Sequence, residues 1–304
     1  MEENLQMYDI IIIGAGPAGL TSAIYALRAG KSVLVVEKAS FGGQITHSPK
    51  IENYPSHTSI SGNELAELMV DQAISQGAEF EMGEVTAVTK QDGIFTVTTE
   101  DGEFQSKAVI AAVGVKHREL SVDIPDAAAE SISYCAVCDG AFYKDREVIV
   151  VGGGNSALQE ALMLAEIAKK VTMVQNLSFF TGEKRLLDKL LPLENVETYV
   201  DSVVSAIDGD GDSVTVTINQ SGEEKTLHAD GVFVAIGLEP KNEIFKSLSE
   251  LNDYGYFASG EDCLTATEGF YVAGDCRSKS IRQITTATAD GAVAALAACR
   301  FLDN

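Results

Sequence analysis

The apolar positions of the chain come in short, dense runs, each followed by glycines and then by a longer stretch with helical spacing. Residues 8–13 are almost wholly apolar, which suits a strand buried on both faces of a parallel sheet. Gly14-Ala15-Gly16-Pro17-Ala18-Gly19 follows at once, and the spacing after it predicts a helix over 17–28, ended by Ala29-Gly30. A second strand is predicted over 32–36, closed by Glu37, and a second helix over 62–76 after a polar loop. From 83 to 112 the pattern changes to alternation, with turn signals at Asp92-Gly93 and Asp101-Gly102, which predicts a β-meander.

The same order then starts again. An apolar strand over 147–151 runs into Gly152-Gly153-Gly154-Asn155-Ser156-Ala157, a helix over 156–168, a strand over 171–174 and a second meander over 200–227. The halves match element by element, so the chain is an internal duplication rather than a solenoid, whose period would be far shorter. A last buried strand over 269–273 leads through Gly274-Asp275 and Arg282-Gln283 into a helix of small residues over 285–299. The expected fold is α/β, with two Rossmann-like three-layer ββα dinucleotide-binding domains, each carrying a β-meander insertion.

The first glycine turn has the context that a dinucleotide site needs. A strand, Gly-x-Gly-x-x-Gly, a helix, a second strand and an acid about 20 residues on form one unit: the glycines let the backbone approach a pyrophosphate, and the helix N-terminus attracts it. Glu37 is placed to hold the ribose hydroxyls. The loop Phe41-Gly42-Gly43-Gln44 and the segment Ile51-Glu52-Asn53-Tyr54-Pro55 follow strands whose carboxyl ends line the ligand crevice in such folds. Asp275, after a glycine at a strand end and facing a helix N-terminus, reads either as a ligand for a polyol chain or as a helix cap.

Cys135-Ala136-Val137-Cys138-Asp139-Gly140 carries the other candidate chemistry. Cys-x-x-Cys is half of a zinc site or a redox disulfide. Zinc would need two more ligands at short spacing, whereas Cys263, Cys276 and Cys299 are scattered singly and His117 lies eighteen residues upstream with no second Cys or His beside it in the sequence. The pair therefore reads as a dithiol/disulfide with its own proton donor in Asp139, and no metal is expected. Asp208-Gly209-Asp210-Gly211-Asp212 resembles a calcium loop only on the surface: the positions that should be Gly and Glu are Ser213 and Asn219, so a hairpin turn is expected.

Composition narrows the partners. With 304 residues the chain holds two ordinary domains, and 45% hydrophobic and 22% charged residues are values of a globular protein. A net charge of -23 works against nucleic acid and anionic membranes, which need clustered Lys and Arg. The first seven residues are acidic and polar and the apolar run 10–13 is too short for a signal or a span, which predicts a cytoplasmic protein. Five cysteines without an export signal argue for thiols with a local job.

Taken together, the two glycine motifs, Gly42-Gly43-Gln44, Glu52-Asn53-Tyr54-Pro55, the Cys135–Gly140 motif and the ending Ala273-Gly274-Asp275 with Arg282-Gln283 resemble the low-molecular-weight thioredoxin reductases, over essentially the whole chain. The resemblance implies an FAD-dependent disulfide reductase acting on thioredoxin, as a homodimer. It implies a discontinuous FAD domain, about 1–115 plus 244–304, and an inserted disulfide-bearing domain of the NAD(P)H type, 116–243. By the same resemblance Gly14, Gly16, Pro17, Ala18, Gly19 and Glu37 hold the adenosine diphosphate half of FAD. Gly43, Gln44, Asn53, Gly274, Asp275, Arg282, Gln283 and Ile284 surround the ribityl and flavin end. Reduced flavin attacks at Cys138, Cys135 is the thiolate that attacks the protein substrate, and Asp139 moves the proton, in keeping with exchange through a thiolate and an acid for the leaving sulfur.

The sequence departs from that family after the strand at 171–174. NADPH-using members place His-Arg-Arg there and a further Arg four residues on, a fork geometry that clamps the 2'-phosphate. Here those positions are Gln175, Asn176, Leu177 and Thr181, and none is charged. Nor is there an acid at the strand end to hold the 2'-hydroxyl of NADH. The pattern resembles the ferredoxin-dependent flavin thioredoxin reductases, which implies that no NADPH is used and that reduced ferredoxin is the donor, docked on a local basic face: Lys184, Arg185 and Lys189, or Lys279 with Arg282. The alternatives are NADH or NADPH through an altered site, a dithiol oxidase running the chemistry backwards, and a non-enzymatic FAD-containing redox sensor.

Overall fold

The computed structural model describes residues 6–48 and 50–304; residues 1–5, part of the polar start, lie outside them. In chain order the first unit contains β1 (Met7–Ile13), α1 (Pro17–Arg28), β2 (Val33–Glu37), α2 (Gly62–Ser75), β3 (Glu79–Met82), β4 (Val85–Gln91), β5 (Ile94–Thr99) and β6 (Glu103–Ala111). The chain crosses at β7 (Lys116–His117) into the second unit. There it forms α3 (Asp126–Ala129), β8 (Ile132–Ser133), α4 (Ala136–Asp139), β9 (Glu147–Val151), α5 (Asn155–Ala165), β10 (Lys170–Val174), α6 (Lys184–Leu190), β11 (Val196–Tyr199), β12 (Ser202–Gly209), β13 (Val214–Gln220), β14 (Glu223–Ala229) and β15 (Gly231–Val234). It returns through β16 (Leu238–Glu239) to β17 (Phe270–Val272) and α7 (Ile284–Leu302). The compact units are Met1–Lys116 with Glu239–Asn304, and His117–Leu238.

In the first unit β3, β2, β1 and β6 run in that order, with β5 and β4 beyond β6 and β17 also paired to β6. β1, β2, β3, β6 and β17 are parallel, while β4, β5 and β6 form the antiparallel meander. Ile10 and Ile12 point into a core with α1, α2 and α7, and Ile11 and Ile13 into the opposite layer with Phe95, Phe257 and Phe270. That two-sided burial is why residues 8–13 carry no polar alternation.

The second unit repeats the plan: β11, β10, β9, β15 and β8 form a parallel sheet, and β12, β13 and β14 a separate antiparallel one. The duplicated α/β fold is thus present as expected. Helix α5 stops at Ala165, short of the expected residue 168, where the Glu166 and Ile167 N–H groups bond three residues back, to Met163 and Leu164, instead of four. Helix α7 overruns its expected end by one turn. The acidic run at 208–212 is a hairpin turn in which Asp210 Oδ1 accepts from the Asp212 and Ser213 N–H groups.

Candidate functional site

The first glycine turn is shaped by contacts that exclude a side chain. At Gly14, with φ +105°, a Cβ would lie 2.4 Å from the Ala112 carbonyl oxygen, and at Gly19 it would lie 1.8 Å from that of Gly14. Gly16 is the extended N-cap of α1, with Pro17 at the first helical position, where its missing N–H costs nothing. Glu37, at the end of β2, accepts the Ala15 N–H at 2.8 Å and, through its other oxygen, those of Lys38 and Ala39 at 2.9 Å each. A carboxylate has about four acceptor sites, so capacity remains for a hydroxyl.

Other sequence-predicted residues gather at this end of the sheet. Gly43 approaches Gly16 closely enough that its Cβ would sit 3.3 Å from the Gly16 Cα, and a Cβ on Gly274 would meet that of Ala18 at 2.9 Å. Asn53 donates to Gln283 at 3.2 Å, Gln283 caps α7 through a capping box, and Ile284 opens that helix. The Arg282 guanidinium lies 4.4 Å from the centre of the Tyr256 ring, and its Nε reaches the Asp275 carbonyl. Gln44 stands apart: it is exposed on a 3-10 turn and its side chain makes no hydrogen bond among the described residues.

Asp275 is the polar atom set in need of a partner. Its Oδ1 is buried without a hydrogen bond, and burial raises its pKa, against the pull of Lys279 and Arg282. Such an orphan acceptor beside a glycine cradle fits a hydroxyl-bearing dinucleotide. The cradle of Gly14, Gly16, Gly19 and Gly43, the free capacity of Glu37 and the orphan on Asp275 together suit FAD.

Beneath Asp275 lies a cluster that sequence reading missed. Asp290 on α7 accepts from Arg277 Nε at 2.8 Å and Nη2 at 2.7 Å, from Lys279 Nζ at 2.9 Å and from the Gly274 N–H at 3.0 Å. Burial alone would raise Asp290, but the two cations bring its pKa below the ordinary value. This corrects the expectation that Lys279 with Arg282 offers a basic docking face: Lys279 is 5% exposed and neutralised by Asp290, and Arg282 is half-buried on Tyr256. Lys184 and Lys189 on α6 are exposed, and Arg185 beside them pairs with Glu183. An Asp at the buried spacing of an otherwise small-residue helix was the available signal for the cluster.

In the second unit Cys135 and Cys138 are bonded as a disulfide. Cys135 is the N-cap of α4 and its Sγ accepts the Cys138 N–H at 3.2 Å, an interaction that favours negative charge on that sulfur. Ser133 donates to Asp139 Oδ2 at 2.7 Å and accepts the Cys135 N–H at 3.1 Å. Asp139 Oδ1 is buried and unpartnered, and burial raises the pKa of this carboxyl, with the Ser133 hydrogen bond opposing. A carboxyl that holds its proton beside a disulfide can supply it to a leaving sulfur. Ser133, two residues before Cys135, was not singled out from sequence.

The second glycine turn differs from the first. Gly152 again has positive φ and abuts a carbonyl, that of Ala235. Gln175, just after β10, is only 5% exposed; its Nε2 donates to the Phe179 carbonyl at 3.1 Å, and its amide lies where a Gly153 Cβ would stand, 2.4 Å away. The Thr181 and Gly182 N–H groups both donate to the Gly153 carbonyl, at 2.8 and 3.0 Å, so the 176–182 loop is tied to the turn. Asn176, Leu177 and Thr181 are exposed, and Phe179 is 60% exposed.

The profile of the family described as pyridine nucleotide-disulphide oxidoreductase matches residues 8–291. A thioredoxin reductase of Listeria monocytogenes is 39% identical over 100% of this chain and 97% of its own. A 34.2 kDa protein in a rubredoxin operon of Clostridium pasteurianum is 40% identical over 99% of both. The crystal structure of thioredoxin reductase from Streptococcus pyogenes superposes with a TM-score of 0.92 at 38% identity, over 98% of each chain. A profile match across most of the chain, full-length relatives at this identity and a bonded Cys-x-x-Cys beside a buried acid lead to one assignment: the chain belongs to the pyridine nucleotide-disulphide oxidoreductases and, within them, to the low-molecular-weight thioredoxin reductases.

Proposed function

We propose that the protein reduces the disulfide of a thioredoxin through FAD and the Cys135–Cys138 pair, with reduced ferredoxin in place of NADPH as the source of electrons. Thioredoxin as substrate rests on the relatives named for that activity. FAD, held by Gly14, Gly16, Gly19, Glu37, Gly43 and Asp275, would carry the incoming electrons to the disulfide. Gln44, Asn53, Arg282, Gln283 and Ile284 would flank its ring end. Asp139, whose carboxyl burial makes harder to ionise, would supply the proton to the sulfur that leaves, and the Cys138 N–H steadies negative charge on Cys135, which suits Cys135 as the attacking thiolate. A cytoplasmic homodimer is part of this reading on the family resemblance alone.

One observation carries the choice of donor. At the end of β10, where a 2'-phosphate would need cations, Gln175 is turned inward to hold Phe179, and Asn176, Leu177 and Thr181 present no charge. Each missing charge-assisted contact removes about 1.5–3 kcal/mol of preference for a phosphorylated nucleotide. The remaining basic face for an acidic protein donor is α6, with Lys184 and Lys189 exposed. The test is anaerobic: the flavin-loaded protein is mixed in turn with NADPH, NADH and reduced ferredoxin while flavin absorbance is followed. Ferredoxin alone should bleach it rapidly. Rapid bleaching by NADPH would overturn the donor assignment and leave the disulfide chemistry standing.

A further inference from the structure

Helix α5 carries an acid on the face that should be apolar. Ala157, Leu158, Ala161 and Leu164 are buried, and Glu160 lies among them at i+3 and i-4. Helix α5 packs against α4, the short helix of the Cys135–Cys138 motif, and the backbone N–H of Ala136, the residue directly after Cys135, is the polar group that opposes the effect of burial on the Glu160 carboxyl. Its Oε2 is buried with no hydrogen-bond partner. Ala136 itself is buried in the same cluster as Leu158 and Leu164, so the α5 face that carries Glu160 packs against the residue next to Cys135.

Among the described residues of the elements packed on α5, no cation is paired with Glu160. Of the elements packed on α5, α4 brings only Asp139, which is bonded to Ser133, and the turn after it brings Tyr143. Strands β9 and β10 bring Glu147 and Lys170, paired with Lys169 and Glu197. Helix α6 carries Lys184, Arg185, Asp188 and Lys189, all exposed. An acid buried without a cation resists ionisation, and burial pushes Glu160 up to about 7, with the Ala136 N–H opposing.

We propose that Glu160 is a proton-holding positioning residue of the disulfide: it takes up a proton when the Cys135–Cys138 bond is opened and releases it when the bond re-forms. The proposal rests on the disulfide-reductase reading of the pair and is independent of the electron donor. The step balances. Two electrons break the Sγ–Sγ bond, one proton, passed through Asp139 and replaced there from solvent, converts one sulfur to a thiol, the other sulfur remains a thiolate, and a second proton from solvent neutralises the Glu160 carboxylate. The motif carries one negative charge before, on Glu160, and one after, on sulfur, so reduction does not build a second charge in a poorly solvated site. Ionised Glu160 opposes the thiolate and protonated Glu160 admits it. The carboxylate acts through its charge.

The test needs neither thioredoxin nor a physiological donor. The full chain is reduced chemically, and alkylation of the Cys135–Cys138 pair by iodoacetamide is followed by mass from pH 5 to 9. Cys263 and Cys276, which burial pushes up to about 12, are expected to stay inert. In the unaltered protein the thiolate and the Glu160 carboxylate compete for one negative charge, so the rate should rise in two steps, the lower shared by the pair and the upper with both groups ionised. In Glu160→Gln, which keeps an acceptor oxygen, the curve should collapse to one step at lower pH, with alkylation at pH 7 faster by on the order of 10-fold. Glu160→Asp, which keeps the charge, should restore two steps. Superposable curves for the unaltered protein and Glu160→Gln would overturn the proposal, as would equal shifts in Glu160→Gln and Glu160→Asp, since both would mark a packing effect rather than a proton.

Discussion

The two glycine turns share one backbone plan and spend their strand-end side chains differently. In the first, Glu37 reaches back to the Ala15 N–H inside the turn and keeps acceptor capacity for a ligand. In the second, Gln175 reaches forward to the Phe179 carbonyl and covers Gly153, while the N–H groups of Thr181 and Gly182 take up the Gly153 carbonyl. Both turns need a glycine at positive φ against a neighbouring carbonyl, Gly14 on Ala112 and Gly152 on Ala235. Glycine is therefore kept by packing whether or not a nucleotide arrives, and it is the residue after the second strand that distinguishes a binding turn from a structural one.

The largest expected effect lies beneath the first turn. Asp290→Asn leaves buried Lys279 without a counter-charge and Arg277 with only the exposed Glu261, and offers one acceptor oxygen to the four donors that now share two, the Gly274 N–H among them, which should cost about 3–5 kcal/mol. The variant should purify with little flavin and unfold at lower denaturant, and full flavin content would show that the bracing of Gly274 and Asp275 comes from elsewhere. Next in size is conversion of the second turn toward the binding type. Gln175→His, Asn176→Arg, Leu177→Arg and Thr181→Arg together should raise NADPH-driven flavin bleaching over that of the unaltered protein by about 10²-fold or more through charge-assisted contacts. A converted protein no faster with NADPH would mean that the loop tied to Gly153, rather than the missing charge, closes the site.

How much of this was legible follows from which signals are local. Strand, glycine turn and helix were readable because two-sided burial and the αL requirement at Gly14 and Gly152 leave marks in consecutive residues. The uncharged run at 175–181 was readable for the same reason. The Asp290 cluster was not, because Arg277, Lys279 and Gly274 come together only when α7 folds back on the β17 turn, and a lysine beside an arginine looks like surface until its partner is known. Ser133 and Glu160 were equally hidden: one is a common serine, the other an acid whose burial depends on α4 packing over α5.

A smaller effect separates the turns sterically. In Gly19→Ala the added Cβ meets the Gly14 backbone at 1.8 Å, which forces the turn open at a cost of about 3 kcal/mol and should release flavin. In Gly153→Ala it meets only the end of the Gln175 side chain, at 2.4 Å, which can swing away for the loss of one hydrogen bond, about 1 kcal/mol. Denaturant unfolding and bound-flavin absorbance of the two variants check the difference; equal losses would erase the distinction between the turns.

The smallest effect concerns the proton beside the disulfide. Asp139 is raised by burial and held back by the Ser133 hydroxyl, so Ser133→Ala should raise it further. A reductase that needs Asp139 protonated loses activity as pH climbs through the pKa of that group, and a higher pKa moves the loss to higher pH. The alkaline limb of the kcat profile should therefore shift upward in Ser133→Ala, while turnover at neutral pH falls severalfold from the loss of about 1 kcal/mol of positioning. A limb that stays in place would detach Asp139 from the rate-limiting proton transfer. A limb that moves to lower pH would mean that the hydroxyl stabilises the protonated carboxyl, reversing the part assigned to it.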